Sequence, residues 1–65
     1  MLDRNELRAA IVRRGLTQKD VAAALGISEK TFISRMKRGV FGTDEVERLV
    51  MLLDIERPMD IFFAK

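Results

Sequence analysis

The residues that could do chemistry are concentrated between positions 29 and 38, in the segment EKTFISRMKR. Its hydroxyls, on Thr31 and Ser34, can donate to or accept from the edges of nucleic-acid bases. Its four cations can reach guanine acceptors or phosphates. They are Lys30, Arg35, Lys37 and Arg38, and residues 30–38 contain no acid. This pattern indicates a surface that binds a polyanion. The alternative is an ordinary amphipathic helix, which would usually mix carboxylates into its outer face for i,i+4 pairing.

The composition excludes several kinds of chemistry. The 65 residues include neither cysteine nor histidine, so the sequence offers no thiolate or imidazole metal ligand and no imidazole base. Its carboxylates and serines form no obvious pair with a base, and it has no glycine-rich phosphate loop. We therefore expect no enzyme, metal, cofactor or small-molecule ligand. Neither a bilayer-spanning run nor a signal peptide is visible, which favours the bacterial cytoplasm or nucleoid and no membrane partner.

The charge of the chain is unevenly distributed. The overall net charge is +2, but residues 1–41 hold nine basic and four acidic residues, a net of +5. Residues 42–65 hold three basic and six acidic residues, a net of −3. Such polarity indicates one face that attracts a polyanion and another that is kept away from it. The alternative is that these charges are scattered over a solvated surface.

Helix starts and stops are legible in the sequence. Residues that suit an N-cap precede four segments with helical periodicity, and a proline suits the first turn of a fifth. They are Asp3, Thr17, Ser28, Thr43 and Pro58. Gly15, Gly26 and Gly39 fall where the first three helices should end, since glycine enters the left-handed conformation at little cost. The third helix is thereby predicted over Glu29–Arg38.

Apolar residues recur at spacings of three and four, and no segment alternates with period two over a strand's length. The predicted inner positions are Leu7, Ala10 and Ile11 in the first helix, Val21, Ala24 and Leu25 in the second, and Val46, Leu49, Val50 and Leu53 in the fourth. No repeat or linker interrupts these segments. We predict an all-α fold, a compact five-helix bundle in which residues 1–65 form a single domain.

The second and third helices meet the demands of a helix-turn-helix over about residues 17–38. Ala22 is small enough for two helices to approach closely, and Gly26 supplies the positive-φ residue that the turn needs. Apolar anchors precede, occupy and follow the turn. They are Val21, Leu25, Ile27 and Phe32. A helix-turn-helix lays its second helix in the major groove of DNA.

The segments LTQKDVAAALGIS and KTFISRMKRG resemble the Cro/repressor-type (XRE-like) helix-turn-helix family of phages and bacteria. The chain is most similar to short phage Cro-like repressors, which also end near an IFF sequence. The resemblance covers essentially the whole chain, and it implies a lambda repressor-like domain that binds operator DNA as a dimer and represses transcription. It also implies that Gln18 contacts a phosphate and that five positions lie at or near the bases. These are Ser28, Glu29, Lys30, Thr31 and Ser34.

The third helix departs from the family pattern at Arg35, where family members usually carry an apolar residue. Here the apolar residue comes one position later, at Met36. Phe32 and Met36 could anchor the helix, which would keep Lys30 and the two hydroxyls outward. Ile33 and Met36 could do so instead, which would rotate the helix and bring Arg35 nearer the DNA. We favour the first arrangement, because it preserves the distance from the turn glycine to Phe32.

The candidate contacts with DNA form two sets. The base-contacting candidates are Glu29, Lys30, Thr31, Ser34 and Arg35. The phosphate-contacting candidates are Thr17, Gln18, Lys19, Ser28, Lys37 and Arg38. Thr17 and Gln18 lie at a helix N-terminus, whose free amides suit a phosphate oxygen. Glu29 has a second explanation, since a carboxylate in the first turn is favoured by the helix dipole without any DNA.

Three consecutive apolar residues, Ile61, Phe62 and Phe63, lie near the C-terminal end of the sequence. One helix cannot bury all three against one core face. We expect a homodimer surface there, with Phe62 or Phe63 as its anchor. The alternative is that all three close a small core. A symmetric dimer would place two recognition helices about 34 Å apart, one DNA turn, and implies a near-palindromic operator.

The function expected from these features is sequence-specific binding of double-stranded DNA, with repression by covering a promoter. A protein-interaction module, such as an anti-repressor or antitoxin-like partner, is the alternative. Such a module would combine a large apolar patch with an electrostatically neutral third helix. The four cations of the third helix argue against it.

Overall fold

A computed structural model describes residues 1–64 as five helices around one apolar core. They are α1 (Arg4–Arg13), α2 (Gln18–Leu25), α3 (Glu29–Arg38), α4 (Thr43–Leu53) and α5 (Pro58–Phe62). No strand occurs among the described residues, so the predicted all-α class is confirmed. Within the same range, no helix has the length and apolar character needed to cross a bilayer.

Most of the predicted helix ends are confirmed. They could be predicted because each depends on hydrogen bonds between residues close in sequence. Asp3 Oδ1 accepts from the Glu6 amide at 3.1 Å and caps α1. Gly26 and Gly39 end α2 and α3 in the left-handed conformation, with φ of 75° and 73°. Pro58 is the first residue of α5, where its missing N–H costs no hydrogen bond.

The prediction that Thr43 caps α4 was wrong. Gly42 has the extended backbone of an N-cap, and Thr43 is already the first helical residue. The connection is instead closed by Glu45, whose Oε1 accepts from the Gly42 amide at 2.8 Å. The carboxylate of the third helical residue thus satisfies the amide of the N-cap residue, which is the second of the two bonds of a capping box.

The core draws one fully buried side chain from each of the first four helices. These are Leu7, Val21, Phe32 and Leu49. All three inner positions predicted for α1 are buried. In α2, Ala24 is exposed, contrary to the prediction, whereas Ala22, the small residue expected at the helix crossing, is buried. Val46 and Val50 are only half-buried in α4. α2 packs chiefly against α3, and Ala22 belongs to its buried face together with Val21 and Leu25.

Phe41, in the connection between α3 and α4, joins the two ends of the core. Its ring lies 5.7 Å from that of Phe32 and 6.5 Å from that of Phe62, the second pair edge to face. The start of α1 closes the same side, since the Asp3 amide donates to the Ile61 carbonyl at 2.7 Å. Phe32 of α3 thus packs in a core that also includes residues far apart in sequence.

Candidate nucleic-acid interface

The burial of α3 decides which way this helix faces. Phe32 and Met36 are 0% and 3% exposed, whereas Ile33 is half-buried. This is the first of the two arrangements considered from the sequence. It leaves Lys30, Ser34 and Lys37 exposed at positions i, i+4 and i+7, which form one stripe along the outer face. We call these three residues the outer stripe of α3.

The other candidates on α3 flank the outer stripe. Glu29 and Arg38 are exposed, and Thr31 and Arg35 are half-buried. Four of the ten residues of α3 are cationic and one is acidic, so the helix presents a net positive face to solvent. Its hydroxyls and cations therefore lie where a duplex could reach them.

The hydroxyls of Ser28 and Thr31 are committed partly to each other. Ser28 Oγ accepts from the Thr31 amide at 3.1 Å and donates to Thr31 Oγ1 at 2.8 Å. This arrangement caps α3 and fixes both rotamers. The bond between the two hydroxyls uses one of their two protons, which leaves the other available to a base or phosphate.

The N-terminus of α2 is built as a reciprocal capping box. Thr17 Oγ1 accepts from the Asp20 amide at 3.1 Å, and Asp20 Oδ2 accepts from the Thr17 amide at 2.9 Å. The bond that the Asp20 carboxylate accepts from the Thr17 amide, and after it the neighbouring Thr17 hydroxyl, hold the pKa of Asp20 below its ordinary value. The box is therefore intact at neutral pH and weakens only as pH falls below the ordinary range of an aspartate.

Two backbone amides of the first turn of α2 lie outside that box. The first intrahelical bond of α2 runs from the Val21 amide to the Thr17 carbonyl at 3.1 Å, so the amides of Gln18 and Lys19 precede it. Lys19 is exposed and Gln18 half-buried. Amides at such a position, with the positive end of the helix dipole behind them, suit a phosphate oxygen.

The turn between α2 and α3 depends on one glycine for its backbone. Gly26 has a φ of 75°, and its amide and that of Ile27 donate to the Ala23 and Ala22 carbonyls at 3.1 and 3.0 Å. A Cβ at Gly26 would meet no atom within 4 Å. The requirement for glycine is therefore conformational rather than steric, because other residues pay to enter this region.

A family model described as the antitoxin Xre-like helix-turn-helix domain matches residues 3–54. The chain belongs to this family. The match spans α1–α4 and includes both helices of the motif, so the XRE-like resemblance is confirmed. Membership indicates a DNA-binding regulator. No curated protein and no solved structure gives a significant match.

Arg35 is held by a partner on another helix of this Xre-like domain. Its Nη1 forms an ion pair with Glu45 Oε2, and the two side chains are 34% and 16% exposed. Glu45 Oε1 is the atom that accepts from Gly42. Part of the Arg35 guanidinium is therefore engaged by Glu45, whereas the side chains of the outer stripe are exposed.

The three apolar residues near the C-terminal end have different surroundings. Ile61 and Phe62 are each 7% exposed and belong to the core. Phe63 is 58% exposed. It shares a groove of about 250 Å³ with two other exposed apolar residues, Met1 and Val40. Only the last of the three dimer candidates is thus available at the surface.

Two residues that sequence reasoning did not single out support the interface. Arg4 Nε donates to the Met36 carbonyl at 2.8 Å, and Arg4 Nη2 donates to the Lys37 carbonyl at 2.7 Å. Glu45 holds Arg35 and the start of α4 together. The contacts of Arg4 with α3 and of Glu45 with Arg35 join residues far apart in sequence, so no nearby sequence pattern indicates them. The contact of Glu45 with Gly42 could have been found, because a carboxylate in the first turn of a helix often accepts from the N-cap amide.

Acidic residues from both ends of the sequence line one cleft beside α1. Five carboxylates line an open cleft of about 600 Å³ together with Arg13 and Arg57. They belong to Asp3, Glu6, Asp54, Glu56 and Asp60. This surface would repel a duplex, whereas the outer stripe of α3 would attract one.

Proposed function

We propose that the protein is a sequence-specific DNA-binding repressor of the phage Cro-like kind, which covers a promoter with α3 in the major groove. The observation that supports this most is the outer stripe of α3. Phe32 and Met36 are buried on the opposite side, so Lys30, Ser34 and Lys37 are presented to solvent on a rigid helix. Such a protein would act in the bacterial cytoplasm or nucleoid.

The roles we assign follow from where each group lies. Lys30 and Ser34, on the first two turns of α3, would read base edges. The Gln18 side chain, with the amides of Gln18 and Lys19, would bind a phosphate on one side of the groove, and Lys37 and Arg38 would bind phosphates on the other. Four to six phosphate contacts predict that log K falls with log salt with a slope of about −4 to −5.

Selection of bound sites from random DNA tests the function directly. A sequence-specific dimer should recover a near-palindrome whose half-sites lie about one helical turn apart. Recovery of single half-sites would retain base reading but contradict the dimer. Recovery of no preferred sequence, with weak and salt-independent binding, would contradict the proposed function itself.

We further propose that a second copy of the chain occupies the groove formed by Met1, Val40 and Phe63. One copy of the chain has one α3, so it cannot occupy two major grooves about 34 Å apart. Two copies related by a two-fold axis can. Large exposed apolar side chains in one groove are suited to a self-complementary contact.

Replacing Phe63 with alanine is expected to weaken self-association by roughly 30-fold, the order of a central aromatic contact. Met59→Ala is the matched control, because Met59 is 66% exposed on α5 but does not line the groove. Sedimentation of both variants and the wild type, with and without DNA, makes the comparison. Only monomer for the wild type under every condition would contradict the dimer.

An antitoxin-like protein-interaction module is the second candidate function. The description of the matching family names an antitoxin, and the groove around Phe63 could receive a different protein. The selection experiment separates the two candidates. An interaction module that does not read DNA would recover no site, and substitutions along the outer stripe would leave its partner binding unchanged.

A further inference from the structure

The first residue of α1 ties this helix to the end of the recognition helix. The amides of Gly39 and Val40 both donate to the Arg35 carbonyl, so the Met36 and Lys37 carbonyls have no partner in the backbone of the last turn. The Arg4 guanidinium satisfies both carbonyls, at 2.8 and 2.7 Å. The start of α1 is thereby fixed beside the last turn of α3.

This contact brings a second arginine close to the outer stripe. Arg8 follows Arg4 by one helical turn and therefore lies on the same face of α1. Arg8 is exposed, and it lines an open cleft of about 670 Å³ together with Arg4 and Lys37. The one carboxylate in this lining, Asp3, has its Oδ1 engaged by the Glu6 amide. The cleft is therefore predominantly cationic.

We propose that Arg8 and Lys37 together bind a backbone phosphate of the duplex, which extends the DNA-binding surface beyond the helix-turn-helix onto α1. This inference rests on the proposed function. Lys37 is the last residue of the outer stripe, so a strand that follows Lys30 and Ser34 reaches the cleft next. A guanidinium there can bind a phosphate through two parallel hydrogen bonds. The contact is to the backbone and adds affinity without sequence preference.

The same helix offers a matched control for long-range charge. Arg13 is also exposed on α1, but it lines the acidic cleft with Asp54, Glu56 and Asp60. Arg8→Gln and Arg13→Gln remove the same charge from the same helix. A general electrostatic effect would weaken DNA binding in both variants to a similar degree, whereas a local contact would act only through Arg8.

The test is the salt dependence of binding to a mixed-sequence duplex of about 20 base pairs, roughly two helical turns. We expect Arg8→Gln to weaken binding roughly five- to tenfold at 0.1 M salt and to reduce the slope by up to about 0.9, the value for one phosphate, because Lys37 remains at the site. Arg13→Gln should change affinity less than twofold, and Arg8→Lys should restore most of the slope. Circular dichroism of each variant checks that α1 is intact.

Three results would contradict the inference, and a fourth would contradict the proposed function. Equal losses for Arg8→Gln and Arg13→Gln would overturn it, and so would an unchanged slope for Arg8→Gln. A wild-type protein that binds no duplex at all would overturn the proposed function, which is a separate failure. A lower affinity for Arg8→Lys than for Arg8→Gln would also contradict a phosphate contact, because the ammonium keeps the charge.

Discussion

Replacing Phe32 with alanine is expected to remove most of the stability of the protein. Phe32 is fully buried, and its ring lies against Phe41 at 5.7 Å. Truncating a buried phenylalanine costs about 3–5 kcal/mol, because apolar burial is lost and a cavity remains. A native chain has only about 0.05–0.15 kcal/mol of stability per residue, so a small domain has little in reserve. Urea unfolding followed by circular dichroism measures the change.

Phe63→Ala serves as the control for that experiment, because it removes the same side chain from a site that is 58% exposed. Measured at a concentration low enough to keep the protein monomeric, it should shift the free energy of unfolding by less than about 0.5 kcal/mol. Similar unfolding midpoints for Phe32→Ala and the wild type would mean that α3 does not anchor on the core through this ring.

Lys30→Ala and Ser34→Ala are expected to change which DNA sequence is preferred. Both side chains are exposed on the outer stripe, away from the core. Loss of one well-formed base contact costs about 1–3 kcal/mol on the preferred site. Random DNA should lose much less, because it gains nothing from base reading. Binding of each variant to the selected site and to a scrambled duplex gives the two affinities.

Gln18→Ala and Lys37→Ala are the matched variants for that experiment. Their groups are assigned to phosphates, so they should weaken binding to both duplexes alike. Equal losses on the selected and scrambled duplexes for all four variants would refute the base-reading assignment. The proposed orientation of α3 on the DNA would then be wrong, although the helix itself would be unaffected.

The helix boundaries could be predicted because each depends on atoms within a few residues. Asp3, Thr17 and Ser28 all cap the helices they were expected to cap, through bonds to an amide three residues later. The exception, Thr43, shows the limit of such reasoning. The Glu45 carboxylate accepts from the Gly42 amide and makes Gly42 the N-cap of α4. The sequence alone does not show whether Gly42 or Thr43 is the N-cap.

The long-range contacts could not be predicted in the same way. Arg4 is 32 and 33 residues away from the carbonyls it binds, and α3 must already be docked before those carbonyls are within reach. The ion pair between Arg35 and Glu45 likewise depends on how α4 returns beside α3. Ala24 was placed in the core because it has the right spacing, but it is exposed, whereas Ala22, which was predicted at the close approach of the two helices, is buried. Periodicity alone did not exclude Ala24 from the inner face.

The bond between the Asp3 amide and the Ile61 carbonyl has a practical consequence for labelling the protein. Since it holds the start of α1 beside α5, a fluorophore attached at Met1 or at Phe63 would lie in the groove that both residues line. Met51 is 83% exposed on α4 and lines none of the three clefts described above. The chain has no native cysteine, so Met51→Cys would give a single attachment point for a dye. Fluorescence anisotropy could then follow DNA binding without a bulky group at the groove.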